Sequence, residues 1–494
     1  MSISVRDLVA RFRSYLRGDG GSLELPLLSD ESRWYTEHTA LLVTTVKWAF
    51  LGAAAGVCVG LGTRGFLWSI EWSGAYVISL TGGAFPVWVL LPIGLPVCAW
   101  IVRTFSPEAR GHGTEAVITA VHQRSGRVQW RVAPVKLVAT VLTLSLGGSV
   151  GKEGPAAQIG AALTSLFADL MRLVDADRRR LVICGISAGF AAVFGTPVSG
   201  ALFGIEVLYL GKIDYGVIFP ALIAGIVAHL VCGTSPPFGD LPDVLASIGQ
   251  FKMIMVALAS GVIFGLVALT LIETMRATER AARRFADHPY LVAMVGGSIL
   301  AATYAVAGDA YAGLGTATVE GLLNGTLQVA VFAFLIKIVT TAVTLETGGS
   351  GGVLTPIFFV GAASGATIAP LFGVPASLLS AYGFVAVLGA ATNTPIAAAV
   401  MAIEVLPSSE AVYAALAGVT AFLMVGHRSV YASQKLGFAK SAGLDVALGG
   451  TLGEVDISAA RLRKGSIEER VHNIARSIEV EIDEVTGQGR PPRE

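Results

Sequence analysis

The sequence predicts an all-α polytopic membrane protein of tilted, partly re-entrant helices, built on an internal duplication. Three observations lead there. Charged residues are 14% of the chain, against about 25% in soluble proteins, and mean hydropathy is +0.68. Apolar stretches follow closely near 40–80, 83–103, 134–147, 155–174, 181–209, 215–234, 250–275, 290–307, 327–345, 353–372, 376–405 and 410–426. Several are too short for a hydrocarbon core of about 30 Å, and others are long enough to tilt or fold back. Third, one nine-residue glycine frame occurs twice.

In chain order, residues 1–39 form a polar N-terminal segment. Arg6, Arg11, Arg13, Arg17 and Arg33 precede the first apolar stretch and favour a cytoplasmic N-terminus. No short apolar region with a small-residue cleavage site follows, so this is not a signal peptide. Leu8–Leu16 reads as an amphipathic helix on the membrane surface. Residues 40–435 form the membrane domain, with halves at about 40–240 and 250–435. The charged connectors Asp175 to Arg180 and Arg276 to Arg284 read as cytoplasmic loops. Residues 436–494 are a polar, cytoplasmic tail, read as a solvated cap; Glu468 to Val485 has helical spacing and 487–494 reads as a disordered end.

The 59 glycines suit close helix packing in lipid. Formal net charge is zero, so nothing points to nucleic acid. Cys58, Cys98, Cys184 and Cys232 lie in or beside apolar stretches without metal-ligand spacing; they read as reduced packing residues, with no metal site and no disulfide framework.

The first frame is Gly147-Gly148-Ser149-Val150-Gly151-Lys152-Glu153-Gly154-Pro155, and the second is Gly348-Gly349-Ser350-Gly351-Gly352-Val353-Leu354-Thr355-Pro356. Proline in each copy suits the start of a helix, and the glycines let several N–H groups turn toward one point. A helix N-terminus with free N–H groups attracts anions. Glu153 is a tethered anion at that mouth, able to occupy an anion's place or leave it, which outlines a gate; the plainer reading is a helix cap. Gly160 recurs as Gly361. Thr196-Pro197 leads to Ile205-Glu206-Val207-Leu208, and Thr394-Pro395 to Ile403-Glu404-Val405-Leu406. Paired repeats with interrupted apolar segments point to a midplane ion site.

Ionisable groups inside membrane segments are costly and demand an account. Glu206 and Glu404 recur with their apolar flanks, so symmetric structural roles such as capping loop N–H groups are expected. Lys136 and Lys337 need carboxylate or carbonyl partners and read as structural. His112, bracketed by Gly111 and Gly113, reads either as a satisfied loop residue or as an exposed imidazole donor. Tyr431 by itself passes as an interfacial aromatic anchor.

Together these residues resemble the CLC family of chloride channels and chloride/proton antiporters, of the prokaryotic type without regulatory CBS domains. Gly151-Lys152-Glu153-Gly154-Pro155 is similar to the family's GREGP motif, with Lys for Arg. Gly352-Val353-Leu354-Thr355-Pro356 is similar to GxFxP, with Leu for Phe. Gly111-His112-Gly113-Thr114-Glu115 stands in the place of GSGIP, with His for Ser and Glu for Pro. Tyr431 falls where the family's pore tyrosine falls. The resemblance spans about residues 40–435. It implies a CLC-like inverted repeat and a homodimer in the lipid bilayer, each subunit with its own pore, in the bacterial inner membrane. It further implies bound chloride or a similar anion and no cofactor, with protons as a possible coupled substrate. By the resemblance, Glu153 is the gate, and anions are held by the N–H groups of Val353 and Leu354, by Gly151, Lys152 and Gly154 around Glu153, by His112, and by the Tyr431 hydroxyl.

Three departures qualify what is expected. Val207 stands where the antiporters carry an internal glutamate, which favours a channel-like or weakly proton-coupled path over proton-coupled antiport. His112 replaces a serine that bounds the inner anion site; with an unperturbed pKa of about 6.5 it is expected to make anion binding or gating sensitive to pH. The altered loop opens fluoride or nitrate as alternatives to chloride, while Pro155 favours the chloride branch. An intramembrane enzyme would need a nucleophile–base pair or metal ligands; only Ser149 and His112 are nearby, and no HExxH spacing exists. A carrier for an organic anion is the remaining transporter alternative. A membrane scaffold explains neither Glu153 nor the duplicated frames.

Overall fold

A computed structural model describes residues 30–81, 85–234, 249–454 and 461–473. The Arg6–Arg17 arginines, the Leu8–Leu16 helix and the 487–494 end lie outside these residues. Six helices among the described residues are long and apolar enough to cross a membrane.

The first half comprises α1 (Asp30–Thr81), α2 (Leu91–Phe105), α3 (Thr114–Gln123), α4 (Val132–Ser145), α5 (Glu153–Leu170), α6 (Asp175–Phe194), α7 (Pro197–Glu206) and α8 (Tyr215–Cys232). The second comprises α9 (Gln250–Arg283), α10 (Pro289–Ala307), α11 (Thr316–Leu323), α12 (Ala333–Thr347), α13 (Leu354–Phe372), α14 (Ala376–Thr392), α15 (Pro395–Val405) and α16 (Ser408–Met424). Two-residue strands β1 (Tyr209–Leu210) and β2 (Lys435–Leu436) pair in parallel, and β3 (Leu444–Asp445) pairs antiparallel with β4 (Arg461–Leu462).

Helix lengths explain the uneven hydropathy. With 52 residues, α1 is about 78 Å long at 1.5 Å per residue, more than twice the hydrocarbon thickness, and it begins ten residues before the apolar stretch does. At the other extreme α7 has 10 residues and α15 has 11, too few to cross. The stretches 181–209 and 376–405 are each two helices. Gly195 (φ 74°) ends α6 and Asn393 (φ 55°) ends α14 in left-handed caps. Each is followed by Thr-Pro, whose proline cannot continue a helix but suits the start of the next. Neither α3 nor α11 falls in an apolar stretch. Each has one buried face (Val117, Ile118, Val121; Val319, Leu322, Leu323), too brief for hydropathy to register.

Helices α6 and α14 are buried on almost every side and form the centre of each half. The recurrence of Gly160 and Gly361 follows from contact with these helices. A Cβ on Gly160 would stand 2.3 Å from the Gly185 carbonyl oxygen, and one on Gly361 2.2 Å from that of Gly383.

The halves meet as an inverted repeat, and the contacts between them are reciprocal. Gly151 and Gly352 exchange N–H···O bonds of 2.6 Å in both directions. Ser149 N–H donates to Thr344 Oγ1 at 3.2 Å, and Ser350 N–H to Thr143 Oγ1 at 3.1 Å. Glu206 accepts from Ile396 and Ala397 N–H at 3.1 and 2.8 Å, while Glu404 accepts from Val198 and Ser199 N–H at 2.9 and 2.8 Å. Each carboxylate thus caps the N-terminus of the other half's short helix, where its charge also favours the helix dipole. Replacing Glu206 by Ala strands two N–H groups and is expected to cost about 2–4 kcal/mol. Glu404→Ala should cost less, because Glu404 is more exposed. Thermal unfolding in detergent checks this; a larger loss for Glu404→Ala would reject the clasp.

The polar segment after α16 is tied to the domain. Gln434 Nε2 donates to the Val207 and Thr392 carbonyls at 2.9 and 2.7 Å, joining the ends of helices from both halves. Lys440 Nζ donates to Asn393 Oδ1 and to the Phe422 carbonyl. Leu210, Leu436 and Leu452 bury a small apolar cluster there. The helix expected from Glu468 is present over 467–473 among the described residues.

Candidate anion site between helix N-termini

Four chain segments converge where the halves meet. Gly148–Lys152 leads into α5, Gly349–Val353 leads into α13, Gly111–Gly113 leads into α3, and Ser429–Ser433 follows α16. Their approach is close enough to need glycine. A Cβ on Gly154 would lie 2.3 Å from the His112 carbonyl oxygen and 3.0 Å from Gly352 Cα; one on Gly113 (φ 84°) would lie 2.9 Å from the Gly154 oxygen.

Glu153 is 1% exposed and reaches across to the other half. Its Oε2 accepts from Thr355 N–H at 3.1 Å and from Thr355 Oγ1 at 2.6 Å. Its Oε1 has no protein partner. The carboxylate therefore lies in the first turn of α13, where donors and helix dipole favour negative charge. Among the described residues, nothing accepts from the N–H groups of Val353 and Leu354, both fully buried at that turn. Gly151 uses its N–H on Gly352, so it closes the junction between halves.

On the other side of Gly154, His112 is half-buried with its ring 5.6 Å from that of Tyr431, centroid to centroid. Tyr431 is fully buried. The Tyr431 hydroxyl, Thr114 Oγ1 and His112 Nδ1 are all buried polar atoms with no hydrogen bond within 3.5 Å among the described residues, the two hydroxyls being neighbours of each other. A buried polar group left unmatched costs about 1–3 kcal/mol, so three on adjoining segments mark a place meant for a ligand that accepts hydrogen bonds.

The two buried lysines brace loops through carbonyls. Lys136 Nζ donates to the Ala109 and Gly111 oxygens at 3.2 and 2.5 Å, on either side of Arg110. Lys337 Nζ donates to the Tyr311 and Gly313 oxygens at 3.0 and 2.9 Å. Among the described residues no full cation bonds the Glu153 carboxylate, and a site made of N–H and O–H dipoles holds an anion without trapping it. Lys152 is half-buried and makes no ion pair with a described residue. A cavity of about 610 Å³ opens beside His112, lined by Arg110, Glu115, Arg276, Glu279 and Glu346; Arg276 and Glu279 belong to the last turns of α9, which continues through most of the charged stretch expected to be a loop.

Sequence reasoning passed over Thr355, Thr114 and Glu115. Thr355 had a signal: it takes the place of Gly154 in the second frame, the one hydroxyl exchanged for a glycine. Glu115 carried none, because its partners lie 317 and 318 residues away.

Comparison with known proteins fits this geometry. The profile of the voltage gated chloride channel family matches residues 93–426. The chain is 33% identical over 421 residues to a chloride/fluoride channel protein of Pseudomonas syringae pv. tomato, covering 82% of this chain and 90% of that one. It is 26% identical over 384 residues to the H(+)/Cl(-) exchange transporter ClcA of Salmonella schwarzengrund, covering 72% and 80%. A solved CLC-type fluoride/proton antiporter superposes with a TM-score of 0.74 at 26% identity, covering 79% of this chain and 98% of that one. With an inverted repeat whose helix N-termini meet around one buried carboxylate, and a family profile running from α2 to the end of α16, the chain belongs to the CLC family of voltage-gated chloride channels and transporters, an integral membrane family that carries anions.

Proposed function

We propose that this protein carries a small inorganic anion, fluoride as well as chloride, along a path that Glu153 closes when ionised and opens when protonated or displaced. The observation that carries the reading is the pair of bonds from Thr355 to Glu153 Oε2. The carboxylate takes the Thr355 donors beside the free N–H groups of Val353 and Leu354, so its negative charge stands at the mouth where an anion would bind. Beyond Glu153, His112 on the cavity wall and the adjoining Tyr431 and Thr114 hydroxyls supply donors. Fluoride demands strong donors to replace its hydration shell, and hydroxyl and amide groups are of that kind. The Pseudomonas relative named for both halides supports the choice.

Within this reading the path is channel-like or weakly coupled to protons. Val207 stands next to Glu206 where the antiporters carry a glutamate; it is fully buried with its carbonyl occupied by Gln434, and its side chain cannot carry a proton. The second reading is proton-coupled antiport, which the solved fluoride/proton antiporter favours. The family resemblance extends the proposal to a homodimer in a bacterial plasma membrane, with both termini cytoplasmic.

The test is efflux from vesicles holding purified protein, an internal pH indicator and no other ion path. Fluoride and chloride efflux without proton movement is expected. Uphill proton movement driven by either anion would replace the channel-like reading with antiport, and efflux of neither ion would reject anion transport.

A further inference from the structure

We infer that Glu115 is a positioning residue for the Tyr431 hydroxyl and, through it, sets the choice among anions at the cavity end of the path. The inference rests on the proposed anion path.

Glu115 lies in the first turn of α3, three residues after His112. Its Oε2 accepts from Ala432 N–H at 3.2 Å and its Oε1 from Ser433 N–H at 2.9 Å, while Ser433 Oγ donates to the Glu115 carbonyl at 3.3 Å. One carboxylate thus grips two consecutive peptide groups, the two that follow Tyr431. Among the described residues the Tyr431 hydroxyl makes no hydrogen bond within 3.5 Å, with Thr114 its neighbouring hydroxyl, so its position is inherited chiefly from this backbone and from ring packing against His112. The loop that supplies His112 and Thr114 therefore also supplies the clamp on Tyr431. One short segment sets the spacing of three donors.

That spacing is what discriminates between ions. Fluoride is the smaller, so a donor displaced by about 0.5 Å fits a different ion, a tolerance of the kind functional sites must keep. Other carboxylates on the cavity wall do not reach the Tyr431 segment: Glu279 pairs with Arg283 and Glu108 with Arg124, and Glu346 makes no bond with a described residue.

The experiment measures initial fluoride and chloride efflux rates for full-length Glu115→Ala and Glu115→Gln, each alone and combined with Tyr431→Phe. Glu115→Ala should change the fluoride-to-chloride rate ratio about fivefold or more, the effect of a lost charge-assisted hydrogen bond. Glu115→Gln keeps one acceptor and should fall between; it serves in place of the Ala variant if that one does not fold. In the Tyr431→Phe background the same changes should shift the ratio less than about twofold, since residues acting as one unit are not additive. An unchanged ratio, or an equal shift in both backgrounds, overturns the inference. If the unmodified protein moves neither ion, the anion-path reading fails by itself. Amide exchange at Ala432 and Ser433 then decides the clamp: faster exchange in Glu115→Gln upholds it, unchanged exchange refutes it.

Discussion

Glu153→Gln is expected to open the path and remove the response of flux to pH. The amide has the shape of the carboxylate but no charge, so its bonds to Thr355 N–H and Oγ1 become neutral ones, roughly half as strong. A loss of about 1.4 kcal/mol in the closed state raises the open population about tenfold. Thr355→Val separates the two bonds: it deletes the 2.6 Å hydroxyl contact and leaves the N–H. That variant should conduct more than the native protein yet keep its pH response, because the Glu153 carboxylate is still present. A pH profile unaltered by Glu153→Gln would remove Glu153 from the gate.

Gly154→Ala is expected to give the largest loss. Its Cβ would stand 2.3 Å from the His112 carbonyl and 3.0 Å from Gly352 Cα, and both obstacles are backbone. Relief requires parting three loops at once, with a destabilisation of about 1–3 kcal/mol of the kind overpacking brings. The larger consequence is geometric, since those loops carry His112, Glu153 and the N-terminus of α13. Flux should fall more than about tenfold while the protein still assembles, because misplacement by about 1 Å is enough to disable a site. Gly111→Ala is the contrast. Its φ is 71°, but a Cβ there meets nothing within 4 Å, so only backbone strain of about 1–2 kcal/mol is added. Flux and melting temperature of both variants test the point, and equal flux in both would show that the Gly154 contact does not hold the site.

Much of this was legible in the linear chain because it is local. Prolines open α7 and α15 at their first residue, while α5 and α13 begin two residues ahead of Pro155 and Pro356 so that Glu153 itself is helical; the two glycine frames announce a duplication without knowledge of how the copies meet. Glu153 stood out as a carboxylate in an apolar region. Hydropathy served less well where a helix is short or ends inside an apolar run. It merged α6 with α7 and α14 with α15, since a left-handed cap at Gly195 or Asn393 alters backbone direction but hardly alters hydropathy. It passed over α3, the helix that carries Glu115 and begins two residues after His112.

The sequence by itself therefore determined the solvent, the twofold repetition, the helix starts and the identity of the gating candidate, because each depends on residue type or on neighbours a few positions away. Only the tertiary structure decided that Gly151 bonds Gly352, that Glu206 and Glu404 cap each other's halves, that Thr355 holds Glu153 across 202 residues, and that Glu115 grips the segment behind Tyr431. Those pairings follow from how two similar halves pack when inverted against each other. A carboxylate finds its N–H partners there by proximity in space, which residue spacing along one half does not encode.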